Sequence, residues 1–337
     1  MKHLLVLTTA VLTFALAPPA SAGTYDVLAC RSDQIDNRRG NNSWVPDSPS
    51  PAFDNVSLCP ESGIVSRLRL ASDRVPYGTS TRFSFTSPPG TRIFRYQGLI
   101  QLNAARGWHA GFVDATPRWI YCGANCSTLG QYIGVDLSVD STQLFAQVTC
   151  GDLSGCPRFA QDGFLSMRQV AVSIADYVLP DVAITGGSVA ASGWHVGDQT
   201  AALEARDSTG VRWVELKVGD VRVAAWEPGC DMSRPRPCND LALTHEIPSG
   251  TFRADGPYNI TLRALDASGN ENATVRRILI DQTAPSSPIA MHLDDDGWRS
   301  SNSFNVQWEN PKQQFAPIVA ARYSLCPEST PISSSKS

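Results

Sequence analysis

The sequence predicts an all-β protein: a jelly-roll-like two-sheet sandwich, then an Ig-like sandwich, then a partial Ig- or fibronectin type III-like segment. Short runs such as residues 81–86 and 304–308 alternate apolar with polar side chains, which places one strand face on a core. Gly, Pro, Asn, Asp and Ser separate these runs, and no long helix-period segment follows residue 22. Many short strands joined by such turns are typical of sandwiches and jelly rolls.

Residues 1–22 have the pattern of a secretory signal peptide. A basic start at Lys2 precedes the apolar stretch 4–16 and the small-residue triplet 20–22, so we expect cleavage before Gly23. The alternative, an N-terminal membrane anchor, is disfavoured because the apolar stretch is short for a bilayer. No later segment reaches spanning length, so we expect no transmembrane segment in the mature chain. The expected location is secreted, extracellular or associated with the cell surface.

The first module is predicted to span residues 23–178. This is too long for one Ig-type sandwich of about 100 residues and suits a larger two-sheet roll. Residues 37–52 are polar and rich in Pro and Ser, which predicts a long surface loop.

The second module is predicted over residues 179–283, close to the length of an Ig-type sandwich. Four motifs characterise it: Asp207-Ser208-Thr209-Gly210-Val211, Asp255-Gly256-Pro257-Tyr258, Asp266-Ala267-Ser268-Gly269-Asn270 and residues 280–285. With them the module resembles the bacterial Ig-like repeats of secreted actinobacterial multi-module proteins. The first module shares with that family only the style of its cysteines and strands, and it resembles a disulfide-rich, lectin-like jelly roll. The resemblance implies a fold rather than an activity.

Two of these motifs also have a direct physical interpretation. The Asp-Gly corner before Tyr258 allows its hydroxyl to bond back to the backbone, as in a tyrosine corner. Ser268-Gly269-Asn270 contains residues that tolerate a positive φ, as a tight hairpin requires.

Residues 284–337 are predicted to form an incomplete module with a Ser-rich tail. The alternation over 304–308 predicts a strand, but the segment is far shorter than the roughly 100 residues that close two sheets. We therefore expect an exposed sheet edge there. Residues 294–296 are three aspartates that could bind calcium at a module boundary. No EF-hand spacing accompanies them, so a solvated acidic turn is the favoured interpretation.

The nine cysteines suit an exported chain, where disulfides form. The simplest pairing is local: Cys122 with Cys126, Cys150 with Cys156, Cys30 with Cys59, and Cys230 with Cys238, leaving Cys326 free. Spacing alone leaves other pairings open. The alternative is a zinc site made from four central cysteines, but their spacing is looser than in zinc ribbons. These central cysteines are Cys122, Cys126, Cys150 and Cys156.

Charge and motifs exclude several function classes. With 28 basic and 32 acidic residues the net charge is −4, so nucleic acid is not an expected partner. Arginine far outnumbers lysine, which we interpret as a compositional bias rather than a binding patch. No nucleophile elbow, zinc-protease helix or phosphate loop is present, so we predict no catalytic residue, metal or cofactor.

Glycoside hydrolysis requires two carboxyl groups, one of them with a raised pKa. Glu61 is the single glutamate of the first module. Asp136 and Asp140 lie four residues apart on one predicted strand, which indicates a solvated strand surface rather than a catalytic pair.

Carbohydrate binding needs an aromatic platform with polar side chains beside it. Trp44 with Asn42 and Asp47, and Trp108 with His109, are the candidate ligand-binding residues. The alternative places both indoles in the core, where large aromatics are usually found.

The predicted function is therefore a non-enzymatic, exported binding or adhesion protein. The first module would bind an extracellular glycan or surface partner, and the Ig-like module would act as a spacer. The alternatives are a secreted hydrolase of polysaccharide or peptide, and a purely structural envelope component.

Overall fold

A computed structural model describes residues 22–33, 37–47, 50–60, 62–128, 130–159, 161–294, 300, 303, 305–312 and 315–322. Predictions for the signal peptide before residue 22, for Glu61, for Asp295 and Asp296, for Phe304 and for Cys326 lie outside these residues. Apart from two 3₁₀ turns, all regular secondary structure in the described part is β-strand, which confirms the predicted all-β class. No helix there has the length and hydropathy needed to cross a membrane.

The first module contains fifteen strands in the described residues. They are β1 Gly23–Ala29, β2 Arg31–Asp33, β3 Asn37–Arg39, β4 Val45–Asp47, β5 Phe53–Leu58, β6 Gly63–Leu68, β7 Arg74–Val75, β8 Ser80–Thr86, β9 Thr91–Asn103, β10 Trp108–Asp114, β11 Trp119–Ala124, β12 Ile133–Ser141, β13 Gln143–Cys150, β14 Cys156–Pro157 and β15 Phe164–Asp176.

Two antiparallel sheets form this module. One has the order β12-β9-β15-β6-β5, with β1 also paired to β15, and the other has the order β11-β10-β13-β8-β4. Strand β13 alternates half-buried and buried positions along its whole length, so its inner face packs into a core between the sheets. Non-sequential neighbours in both sheets indicate a roll rather than a meander.

The segment 37–52 is more ordered than the surface loop that its composition predicts. Strand β3 pairs with β2, and β4 pairs with β8 at the edge of the second sheet. Between them the Trp44 side chain is buried, 2% exposed, against Phe85 and Tyr96. One large aromatic therefore fixes a polar segment to the core.

The second module contains eight strands and two 3₁₀ turns in the described residues. They are β16 Asp181–Gly186, β17 Trp194–His195, β18 Gln199–Arg206, β19 Val211–Val218, β20 Val221–Trp226, β21 Leu241–Ile247, β22 Gly256–Asp266 and β23 Glu271–Ile280, with turns at Ser188–Ala190 and Ser249–Thr251. The sheets have the orders β16-β18-β21 and β17-β23-β22-β19-β20. A separate apolar core lies between them, as in an Ig-like sandwich.

The second module has both local features predicted from its motifs. The Tyr258 hydroxyl donates to the Ala254 carbonyl at 2.9 Å and accepts from the Ala254 amide at 3.0 Å. Gly269 has φ 91° in the hairpin between β22 and β23, a left-handed conformation that glycine adopts without strain.

A separate two-stranded sheet follows the second module. Strands β24 Ile289–Leu293 and β25 Val306–Glu309 pair with each other. Their side chains are mostly exposed, and Trp308 is 43% exposed. Within the described residues β25 has no second strand partner, and residues 320–322 are not in a strand.

Four disulfides link the cysteines in the predicted pairs, which confirms that prediction. They are Cys30–Cys59, Cys122–Cys126, Cys150–Cys156 and Cys230–Cys238. Each closes a short segment within one module, so the four central cysteines are used as disulfides and not as zinc ligands.

The loop that the Cys230–Cys238 disulfide closes contacts the first module. The Met232 carbonyl accepts from the Leu28 amide at 2.8 Å, and the Pro235 carbonyl accepts from the Tyr25 hydroxyl at 2.7 Å. The Met232 side chain also packs on the core of the first module. The junction between the two modules is therefore a packed interface rather than a free linker.

The tyrosine corner gives a stability prediction. Tyr258→Phe removes the hydroxyl that satisfies both polar groups of Ala254, so we expect the unfolding free energy to fall by about 1–2 kcal/mol. Urea unfolding of the purified chain measures this change. Tyr177→Phe, at a 59% exposed tyrosine, is the control, and an equal loss in both variants would contradict the prediction.

Candidate ligand-binding site

A depression of about 550 Å³ opens at one end of the first module. Its lining comes from β5, from β6 and the turn after it, and from the segment entering β15. The lining residues are Asp54, Arg67, Leu68, Arg69, Leu70, Gln161, Asp162 and Phe164. Such concave sites with a few converging polar groups are the usual places for ligands.

Strand pairing positions the charged wall of the depression. Asp54 on β5 lies opposite Arg67 on β6, and the adjacent pair is Phe53 with Leu68. Phe53 and Leu68 are both buried. Because successive residues of a strand face opposite sides, Asp54 and Arg67 lie on the outer face.

Two arginines surround the Asp54 carboxylate. Arg69 Nε lies 2.6 Å from Asp54 Oδ1, and Arg67 Nε lies 3.8 Å from Asp54 Oδ2. Both guanidinium groups are more than half exposed, and exposed ion pairs contribute little to stability. The carboxylate therefore orients two planar donor groups that remain open to a ligand.

The opposite wall is a loop held in a tight conformation. Gln161 has φ 69°, which is uncommon for a residue with a side chain and costs roughly 1 kcal/mol or more. Asn103 Nδ2 donates to the Gln161 carbonyl at 2.7 Å. Gly163 follows with φ 52°, and a Cβ there would lie 2.7 Å from the Trp108 ring. Packing against Trp108 thus requires glycine and fixes the loop.

Asp162 lies in this loop as a nearly buried carboxyl group. Its residue is 6% exposed, and Oδ2 has no hydrogen-bond partner. Arg106 Nη1 lies 3.6 Å from Oδ2, an ion-pair distance only. Burial raises the pKa of Asp162, and the Arg106 charge opposes that shift. The side chain can therefore accept a hydrogen bond when ionised or donate one when protonated.

Apolar side chains lie beside these polar groups. Leu70, in the lining, is 67% exposed, and Phe159, in the loop before Asp162, is 55% exposed. Arg106 Cζ lies 4.7 Å from the centre of the Phe159 ring, so cation–π contact orients this aromatic. Arginines, carboxyl groups and apolar surface therefore occur at the same end of the module.

The structure places Trp108, predicted as a ligand-binding residue, in the core. It is fully buried, lies 5.6 Å from Phe53 in an edge-to-face contact, and donates from Nε1 to the Pro157 carbonyl. Trp44 is likewise buried, as described above. Neither indole has a face open to a sugar, so the predicted aromatic platform does not form at these two residues.

The three polar candidates do not converge either. Asn42 Nδ2 donates to Ser233 Oγ of the second module at 2.7 Å. Asp47 on β4 accepts from Arg82 Nε at 2.9 Å. His109 packs on Trp119 at 6.0 Å, on the face of β10 opposite to Trp108. Asn42 therefore lies at the module junction, Asp47 at a sheet edge and His109 on an outer sheet face.

The two aspartates weighed as a glycosidase pair are surface residues. Asp136 pairs with Arg95 and Asp140 with Arg92, and all four side chains are substantially exposed. They lie on β12, away from the depression. This agrees with the strand-surface interpretation of their spacing.

Sequence reasoning missed the residues of the depression because no motif links them. Asp54, Arg67 and Asp162 lie on separate segments, and only strand pairing brings them together. The local signal is a Gly between Asp162 and an apolar strand, and the compositional excess of arginine hides the two arginines that line the site. Placing Asp54 opposite Arg67 requires the pairing of β5 with β6, which the sequence does not show.

Comparisons with known proteins give no family. No family model and no curated protein matches the chain. Among solved structures, the fibronectin(III)-like modules of CbhA from Clostridium thermocellum match with 14% identity over 71% of this chain and 95% of theirs, at a TM-score of 0.24.

Longer enzymes also match in part. The glycoside hydrolase domain of Endo-D from Streptococcus pneumoniae R6 has 8% identity over 70% of this chain and 37% of that one, at a TM-score of 0.21. A β-glucuronidase from Parabacteroides merdae has 10% identity over 72% and 32%, at a TM-score of 0.21. Scores this low carry no argument about function.

Asp162 gives a pH-dependent prediction. Since burial raises its pKa in the folded chain, the folded chain binds more protons than the unfolded chain between the two pKa values, and stability falls as pH rises through that window. Asp162→Asn removes the buried charge. We expect it to raise the unfolding free energy by about 1 kcal/mol at neutral pH, and to lose this advantage near about pH 3.5.

Urea unfolding at both pH values measures the effect. Asp73→Asn is the control, because Asp73 is an exposed aspartate paired with Arg158. A gain of equal size at neutral and acidic pH would show that the Asp162 charge is not its cause.

Proposed function

We propose that this chain is an exported binding protein whose first module takes a carbohydrate in the depression beside Asp162. The observation that carries the proposal is the Asp162 carboxyl group, nearly buried and without a hydrogen-bond partner on Oδ2. A buried polar atom of this kind costs free energy unless a ligand satisfies it. The same wall holds two exposed guanidinium groups.

A carbohydrate suits this chemistry. Sugar hydroxyls both donate and accept, so they can pair with Asp162, with the Gln161 amide and with the arginines. The apolar face of a sugar ring can lie on Leu70 or Phe159, which are exposed beside them. The sugar would be bound by these non-covalent contacts alone, without cleavage of a glycosidic bond.

An extracellular location supports this proposal. Four disulfides are typical of proteins that mature in an oxidising compartment, and residues 1–22 have the signal-peptide pattern. The second module would hold the first at a fixed orientation, since its Cys230–Cys238 loop packs on β1.

A hydrolase is the second candidate, because Asp54 and Asp162 both line the depression. Their surroundings differ: Asp54 lies between two arginines, while burial raises the pKa of Asp162. Two carboxyl groups in contrasting environments are what a general acid and its partner need.

The full mature chain on a glycan array tests the proposal, and binding to a defined set of glycans is the expected result. Arg67→Ala and Gln161→Ala should each weaken the affinity by about tenfold or more, because each removes a hydrogen bond to the ligand. Calorimetry with the best array glycan measures these changes.

Arg95→Ala is the matched control, since Arg95 on β9 forms a comparable exposed ion pair with Asp136 on β12. Equal weakening by Arg95→Ala, or no binding to any glycan, would contradict carbohydrate binding at the depression. Release of new reducing ends from the bound glycan, abolished by Asp162→Asn, would instead identify the hydrolase.

A further inference from the structure

Three aspartates meet at the junction between the first and second modules. Asp176 ends β15 of the first module, Asp207 lies in the turn before β19, and Asp266 ends β22. One carboxylate oxygen from each lies within 4.8 Å of the other two. We call these three residues the junction cluster.

The junction cluster is withdrawn from water without a cationic partner. Asp176 and Asp266 are fully buried, 0% exposed. Among the described residues, no Lys or Arg forms an ion pair with any of the three carboxylates. Buried carboxylates normally pair with a cation or coordinate a metal. Cleavage before Gly23 would place an amino terminus at this junction, but the Gly23 nitrogen bonds to Asn270 Oδ1 at 3.0 Å and not to one of the three carboxylates.

An unsatisfied atom lies within the junction cluster. Asp207 Oδ2 exposes less than 1 Å² and has no hydrogen-bond partner, while Oδ1 of the same carboxylate accepts from the Thr209 amide at 2.7 Å. One carboxylate oxygen is thus tied to the backbone and the other is buried without a donor. Such an atom lowers the stability of the fold unless a ligand or a proton satisfies it.

The hydroxyl groups nearby cannot meet this need. Thr209 Oγ1 contacts Asp207 Oδ1 at 2.7 Å and Asp176 Oδ2 at 3.1 Å. Ser268 Oγ contacts Asp266 Oδ1 at 2.7 Å and Asp176 Oδ2 at 3.2 Å. Each hydroxyl has one proton for two carboxylates, so two of the four contacts lack a hydrogen.

The three carboxylates of the cluster also repel one another. Like charges whose oxygens lie within 4.8 Å of each other are unfavourable in a buried site, where water screens them poorly. A bound cation would reverse that effect.

We propose that the junction cluster binds a calcium ion that joins the first module to the second. Calcium–oxygen distances are about 2.3–2.6 Å, so ligand oxygens on opposite sides of one ion lie up to about 5 Å apart, which accommodates the 4.8 Å spread. Magnesium, at about 2.0–2.1 Å, allows only about 4.2 Å. The spread therefore favours calcium.

The position of the ion explains its purpose. Asp176 belongs to the first module, and the other two ligands belong to the second. Asn270 Nδ2 already crosses the junction to the Asp176 carbonyl at 3.2 Å, and its Oδ1 accepts from the Gly23 nitrogen at 3.0 Å. An ion bound by aspartates of both modules would add metal–ligand bonds to these hydrogen bonds and would hold the two modules together more firmly. The junction cluster shares no residue with 294–296, the aspartates for which the sequence suggests calcium.

Thermal unfolding and calorimetry of the full mature chain test the proposal with calcium chloride as the probe. In calcium at about 100-fold above the Kd, the Tm should rise by about 5–10 °C relative to EDTA. Magnesium at the same concentration should raise it much less. Calorimetry should show one site.

Asp207→Asn is the main variant, because asparagine keeps the oxygen that accepts from Thr209 and removes the charge. We expect its calcium affinity to fall by about tenfold or more, and its Tm in EDTA to equal or exceed that of the wild type. Asp140→Asn is the control, since Asp140 is an exposed aspartate on β12, and it should keep the full calcium response.

Two outcomes would overturn the proposal. The first is an unchanged wild-type Tm in calcium and EDTA with no binding heat. The second is a wild-type Tm that rises on acidification alone and is indifferent to calcium, which would mean that protons neutralise the cluster. Since the wild-type chain gives both readings, failure of a variant to fold would not decide the question. Neither outcome depends on glycan binding at Asp162.

Discussion

Burial of Trp108 is the constraint on which the candidate site depends. Its indole packs edge-to-face on Phe53 and against the backbone of Gly163, and its Nε1 donates to Pro157. Asp54 follows Phe53 in the chain, and Asp162 precedes Gly163, so one core side chain sets the spacing of both walls. A rigid, buried anchor behind exposed polar groups is how a sandwich presents a preorganised site. The residue expected to touch a ligand instead supports those that line the depression.

Much of the architecture could be predicted because strands and turns are local. The alternation of apolar and polar residues predicts the strands, and the Asp-Gly corner predicts the Tyr258 hydrogen bonds. Cysteines a few residues apart, such as Cys150 and Cys156, predict local disulfides. The binding residues could not be predicted, because Asp54 and Asp162 become neighbours only through sheet pairing. The burial of the tryptophan side chains could not be predicted either, because a tryptophan beside polar residues has the same local sequence whether its ring packs inward or outward. Trp44, in a segment rich in Pro and Ser, is the clearest example.

Buried carboxylates occur at two places, and the physical situation differs between them. Asp162 is a single group beside Arg106, so a proton, a guanidinium or a neutral ligand can relieve it at modest cost. Asp176, Asp207 and Asp266 repel one another as well as losing hydration. Neutral hydroxyl donors cannot offset that repulsion, because each supplies one proton to two acceptors. Only added positive charge, as protons or as a cation, removes it.

The two regions also differ in what they connect. The depression lies within the first module, so its geometry is set by that module's own core. The junction cluster takes ligands from both modules, so its occupancy determines how firmly they are held together. The Cys230–Cys238 loop already contributes backbone hydrogen bonds at the same interface, and these persist without any ion. Cation binding would therefore tighten an interface that exists already, and would change its stability more than its shape.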